Sequence, residues 1–195
     1  MCSDDLPERL AAGLDGAFEP MVLAYQRRLY AFALRLVGRP EDAEEIAQDA
    51  LVRAYRALAT YPPERIRALA LRAWLFQITL NVARNRLRGS RPELASLEGD
   101  RERDALNLPS NQQEWPDQQA ERAEERRELA ALLLALPTRY RAVVILRHVE
   151  GLGYAEIGQV TGQPVGTVKA NVHRGVRLLR QGLTARAASV LSEVR

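Results

Sequence analysis

Lys169, His173, Arg177 and Arg180 recur at three- and four-residue steps with Arg174 beside them, a spacing that puts all five on one side of a helix. A second basic run lies earlier: residues 62–92 hold Arg65, Arg67, Arg72, Arg84, Arg86, Arg88 and Arg91 against Glu64 alone, a net +6. Gln77, Asn81 and Asn85 are interleaved with these arginines. Cations of this kind bind phosphate, and amides can meet exposed base edges. No nucleophile–base pair, metal-ligand cluster or phosphate-binding glycine loop accompanies them. The chemistry expected is recognition: no catalytic residue, no metal and no cofactor.

The charge pattern repeats that message. Residues 41–49 hold Glu41, Asp42, Glu44, Glu45 and Asp49 with no base, and residues 98–128 carry ten acids against five arginines. Two basic stretches separated by acidic ones, inside a net charge of only +3, suggest a polyanion touched at two places. Cys2 is the one cysteine, which excludes an internal disulfide; with only His148 and His173 beside it, no Cys/His zinc site is expected. The longest apolar run, Leu129 to Leu136, is far short of the roughly 20 residues of a membrane span, and the acidic N-terminus lacks the apolar core of a secretory signal. A cytoplasmic protein without membrane insertion is expected.

The elements that must position these residues read as helices throughout. Met21, Tyr25, Leu29, Phe32 and Leu36 give the first stripe, ended by Gly38 and Pro40. Ala43, Ile46, Ala47, Ala50, Leu51, Ala54 and Leu58 give the second, opened by Glu41 and Asp42 at its positive end. After the Tyr61–Pro63 break, a third is predicted from Ile66 to Leu87 with Leu71, Leu75, Ile78 and Val82 inward. Residues 89–117 lack periodicity and contain Leu-Pro-Ser-Asn and Trp-Pro, which reads as a linker between two domains. Helix resumes near Gln118 to Leu136, then Thr138 to Val149, Tyr154 to Val160, and onward from Pro164. The fold class is all-α, two small helical domains joined by a flexible linker. The divisions are a tail over 1–16, a domain over 17–91, a linker over 92–120, a domain over 121–183 and a tail over 184–195.

Residues 154–180 have helix-turn-helix spacing, with Gly162 in the turn and Val168, Val172, Val176 and Leu179 as the buried stripe of the second helix. Its opposite, basic face suits a major groove. An ordinary helical hairpin with a solvated basic face has the same spacing, and spacing alone leaves both readings open.

The string GLGYAEIGQVTGQPVGTVKANVHRGVRLLR resembles the promoter-reading helix-turn-helix of bacterial sigma factors of the extracytoplasmic-function class, with Pro164, Gly166, Thr167, Val168, Lys169, Arg174 and Arg177 in matching places. Gly153 replaces a frequent capping Ser, Ala170 the usual Ser and Asn171 the usual Arg. Glu41 to Ala50 resembles the family's helix that docks on the clamp helices of the polymerase β′ subunit. Leu71 to Arg88 resembles the helix that, with the loop before it, opens the minus-ten element and holds a flipped base. Here Asn85 stands for a frequent Asp, and the loop Tyr61–Ala70 differs from the usual one.

The resemblance implies a promoter-specificity subunit without enzymatic activity. Upstream, at the minus-thirty-five element, it implicates Gly166, Thr167, Lys169, Ala170, His173, Arg174 and Arg177; at the minus-ten element, Arg72, Gln77, Asn81, Arg84, Asn85 and Arg88. For core polymerase it implicates Asp42, Glu45, Gln48, Asp49, Val52 and Arg56, which lie off the apolar stripe of their helix. A solvated acidic face is the plainer reading of that surface. Trp74, four residues before Ile78, is expected in the core rather than as a melting wedge. The implied partners are core RNA polymerase through the β′ clamp helices and β flap, promoter DNA and an anti-sigma factor. The alternatives are a stand-alone helix-turn-helix regulator, which requires a dimer, and a sigma-like adapter that reads no promoter.

Overall fold

The computed structural model describes residues 5–89 and 127–193, side chains as far as 186, and every regular element among them is helical. Cys2 and the predicted linker lie outside these residues. The chain divides into two compact units, one built on residues 1–94 and the other on most of 95–195.

The first unit contains α1 (Leu6–Ala12), α2 (Leu14–Val37), α3 (Pro40–Leu58), α4 (Pro63–Arg67) and α5 (Leu71–Gly89). α2 stops at Gly38, whose φ of 84° only glycine adopts without strain and whose amide donates to the Leu34 carbonyl at 2.8 Å. Pro40 then starts α3, where a missing N–H costs nothing. Met21, Leu29, Phe32 and Leu36 of α2, Ile46 and Leu58 of α3, and Leu75, Phe76 and Leu80 of α5 form the core. Phe32 and Phe76 meet edge to face at 5.1 Å. The buried Thr79 hydroxyl donates to the Leu75 carbonyl at 2.9 Å, so it is buried without cost in unmade bonds.

This unit departs from the sequence expectations at four places. The segment 1–16 is not a plain tail: α1 buries Leu6 and Leu10, and Arg67 reaches its Glu8 at 3.1 Å. The third predicted helix is two: α4 ends near Ala68, and α5 begins at Leu71, where the Leu71 amide turns back to the Leu69 carbonyl at 2.7 Å. The apolar run Ala68-Leu69-Ala70-Leu71 masked that break. Along α5, Leu71, Leu75 and Val82 are buried as expected, while Ile78 is half-buried. Trp74 is also only half-buried, tilted against Tyr61 with ring centroids 6.1 Å apart.

The second unit contains α6 (127–135), α7 (Thr138–His148), α8 (Tyr154–Thr161) and α9 (Val165–Glu193). Val143, Ile145 and Leu146 of α7, Leu152, Ile157 and Val160, and Val168 and Val172 of α9 close its core. Val176 and Leu179 are half-buried. α9 crosses α7 at Gly175, where a Cβ would lie 2.5 Å from Val144 Cγ2, so no larger residue fits without movement. The turn between α8 and α9 is as tight: a Cβ on Gly158 would lie 2.9 Å from the Gln163 carbonyl oxygen, and Gly162 has φ 69°. The Arg141 guanidinium donates to the Leu134 and Leu136 carbonyls, capping the end of α6, and its burial lowers its pKa. Among the described residues no helix is long and apolar enough to cross a membrane.

Candidate DNA and polymerase interfaces

Val168, Val172 and Gly175 face the core, which turns one broad arc of α9 outward. Gly166, Thr167, Lys169, Ala170, His173, Arg174 and Arg177 all lie on that arc and all are exposed. None of their cations pairs with a carboxylate among the described residues. The Arg174 side chain instead lies by the Tyr140 hydroxyl, and together with the nearby Arg139 charge it holds the Tyr140 phenol below its ordinary value. Arg139 lies over the same ring, 4.6 Å from its centroid. The Lys169 ammonium lies 5.7 Å from the Tyr154 centroid.

Two of the three departures in this motif make structural contacts, and nothing in the structure explains Ala170. Gly153 lacks a capping hydroxyl, but its amide donates to Glu156 Oε2 at 2.7 Å, so half of a capping box survives. Asn171 donates to Gln163 Oε1 at 3.1 Å, tying α9 to the turn before it.

On α5 the structure gathers most of the expected minus-ten residues and separates one. At about 100° per residue, Gln77, Asn81, Arg84, Asn85 and Arg88 share one face. Asn81, Asn85 and Arg88 are exposed, and Gln77 and Arg84 half-buried. Arg72 points about opposite, on the side of Leu75 and Phe76, with Nε buried and no hydrogen-bond partner at that atom. Burial and the charge of Arg88 lower the Arg84 pKa: two cations one turn apart, a place where an anion would relieve repulsion. Before α5, the exposed Arg65 stacks on Tyr61 with the guanidinium carbon 3.6 Å from the ring centroid.

On α3, Asp42, Glu45, Asp49, Val52 and Arg56 follow at three- and four-residue steps, with Gln48 beside them. Val52 is 47% exposed. The acids are not all open. Arg86 of α5 reaches Asp42 Oδ1 at 2.7 Å and Glu45 Oε2 at 2.7 Å, and Arg53 holds Asp49 at 2.9 Å. Sequence reasoning passed over Arg86, Tyr140, Tyr154 and Arg147 as site residues. Only the presence of Tyr154 inside the quoted motif pointed to any of them.

Residues 21–93 match the family described as Sigma-70 region 2, and residues 126–179 match Sigma-70, region 4. The chain is 30% identical over 185 residues to the ECF RNA polymerase sigma factor SigW of Bacillus subtilis, covering 90% of this chain and 94% of that one. The chain belongs to the sigma-70 family, in its extracytoplasmic-function class. It is likewise 30% identical over 176 residues to the ECF RNA polymerase sigma-E factor of Escherichia coli K12, covering 87% of each. Among solved structures it is similar to CnrH in complex with the cytosolic domain of CnrY, at TM-score 0.64 and 27% identity over 93% of this chain and 97% of that one. This sigma factor is therefore a promoter-specificity subunit of bacterial RNA polymerase.

Proposed function

We propose that the two units divide promoter reading between them. The outward arc of α9 reads the minus-thirty-five element, with Lys169 and Arg174 as principal contacts and Gly166, Thr167, Ala170, His173 and Arg177 around them. Gln77, Asn81, Arg84, Asn85 and Arg88 of α5 take the separated minus-ten strand; Arg72, turned to the other side, supports the helix. Asp42, Glu45, Gln48, Asp49, Val52 and Arg56 of α3 dock on the clamp helices of β′, and the second unit on the β flap. The observation that carries this division is the full exposure of all seven α9 residues on one arc free of carboxylates.

The mechanism is recognition rather than catalysis, and it works in the cytoplasm, where polymerase and chromosome are. Each DNA surface is modest alone. Joining them on core polymerase raises apparent affinity on the order of 10²–10⁴-fold when both can engage. The free protein therefore binds promoter DNA poorly. The related CnrH forms a complex with the cytosolic domain of CnrY, which supports a protein partner here as well; the partner we propose is an anti-sigma factor.

Run-off transcription on a genomic DNA library, with core polymerase and with or without this chain, tests the proposal. Discrete starts that need both components are expected, and the promoters recovered should lose activity when either element is scrambled. Footprints without polymerase would favour a stand-alone regulator, and core binding without new starts would favour an adapter.

A further inference from the structure

Tyr154, the first residue of α8, carries a cation from each of the other two helices of the helix-turn-helix region. The Arg147 guanidinium carbon lies 4.8 Å from the ring centroid and the Lys169 ammonium 5.7 Å. Both are inside the roughly 6 Å at which a cation is attracted to the negative face of an aromatic ring. The two cations differ in what else holds them. Arg147 donates to the Leu152 carbonyl at 3.0 Å and is fixed without the ring. Lys169 is exposed and makes no hydrogen bond or ion pair among the described residues, so the ring is what confines its four-carbon stem.

The ring is itself well placed to do this. Tyr154 is half-buried, and the bond from the preceding Gly153 amide to Glu156 sets the start of its helix. Val168, fully buried, fixes the backbone from which Lys169 projects. A free lysine loses side-chain entropy when a DNA contact immobilises it, and one already confined loses less. A ring confines it without cancelling its charge, as a carboxylate would.

We infer that Tyr154 is a positioning residue for upstream promoter recognition, its ring holding the Lys169 ammonium in place before DNA arrives. The inference rests on the reading of Lys169 as a DNA contact. Its test is a series at position 154 in the full chain bound to core polymerase: tyrosine, phenylalanine, then mono-, di- and trifluorophenylalanine, with affinity for a promoter fragment as the readout. Fluorination drains the negative face of the ring while keeping its shape and the fold.

Phenylalanine should bind within about twofold of tyrosine, and affinity should then fall stepwise to roughly 3–5-fold weaker. In a Lys169→Ala background the fall should vanish. A flat series overturns the inference, as does an equal fall in the Lys169→Ala background, which would assign the ring's effect to Arg147. A phenylalanine variant as weak as the trifluorinated one overturns it too, since the hydroxyl would then carry the effect. Should Lys169→Ala alone bind promoter normally, the reading of Lys169 as a DNA contact falls with it; a weakened Lys169→Ala with a flat series removes only the role of Tyr154.

Discussion

The two units hold their cations by opposite means. In the first, acids do much of the holding: Arg86 lies between Asp42 and Glu45, Arg67 on Glu8 and Arg53 on Asp49. In the second, around α9, tyrosines do it: Lys169 and Arg147 lie over the Tyr154 ring and Arg139 over the Tyr140 ring, with Arg174 beside the Tyr140 hydroxyl. Exceptions occur in both units: Arg28 lies 5.9 Å from the centroid of the buried Phe76 ring. Arg186, near the far end of α9, pairs with Glu128, while Arg65, beside the segment proposed to hold a flipped base, stacks on Tyr61. A carboxylate fixes a cation and cancels its charge, whereas an aromatic face fixes it and leaves the charge for a phosphate. The acids fasten α1 to α4 and α3 to α5, while the rings around α9 leave the charge of their cations uncancelled.

The sharpest test of the acidic half reverses a charge. Asp49→Arg places a third cation beside Arg53 and Arg56 on the face proposed for polymerase, and like charges facing a basic partner cost several kcal/mol. Core affinity should fall by more than tenfold, while helicity by circular dichroism stays as before, because Asp49 lies off the buried stripe. Unchanged core affinity would return this face to plain solvation.

Next in size are the two cations of α9 that lie beside tyrosines. Lys169→Ala and Arg174→Ala should each cost about 1–3 kcal/mol if they touch bases, with relaxed preference at one promoter position. A phosphate contact instead weakens all upstream sequences alike and lowers the salt slope by about one. Holoenzyme binding to promoters with single upstream substitutions separates these cases. Normal binding by both variants would remove α9 from promoter reading.

A smaller effect follows from Tyr140→Phe, which removes the hydroxyl beside Arg174 and leaves the ring for Arg139. Upstream promoter affinity should fall about threefold, and not at all in an Arg174→Ala background. An equal loss in both backgrounds would detach Tyr140 from Arg174.

What was legible in the residues follows the range of the forces involved. The apolar steps of α2 and α3 are local, and Met21 through Leu36 and Ala43 through Leu58 locate those helices closely. So is the outward arc of α9, because Val168 and Val172 fix which side faces in. α1 escaped because its seven residues bury only Leu6 and Leu10, too few to make a period. The α4–α5 break escaped because its residues are as apolar as a helix interior. The sorting of cations was out of reach: Arg86 meets Asp42 across 44 positions, and no spacing rule connects Tyr154 with Lys169. Arg86 and Arg84 look alike in sequence, yet among the described residues only the first has carboxylates within reach.

That pair supplies the smallest and most discriminating prediction. Arg86→Gln removes a cation already matched by two acids, so separated-strand binding by the holoenzyme should be unchanged. Arg84→Gln removes one that burial and Arg88 leave unmatched, so strand binding should fall several-fold. Salt magnifies the contrast: raising it should weaken wild type and Arg86→Gln in parallel and Arg84→Gln less steeply, since one phosphate contact fewer releases fewer counterions. Thermal unfolding should move the other way, with a slight loss for Arg86→Gln, because an exposed bridge between α3 and α5 contributes little. If Arg86→Gln instead weakened strand binding as much as Arg84→Gln at unchanged stability, acid-held cations would also serve DNA. The contrast between acid-held and unmatched cations would then fail in the first unit while remaining testable in the second.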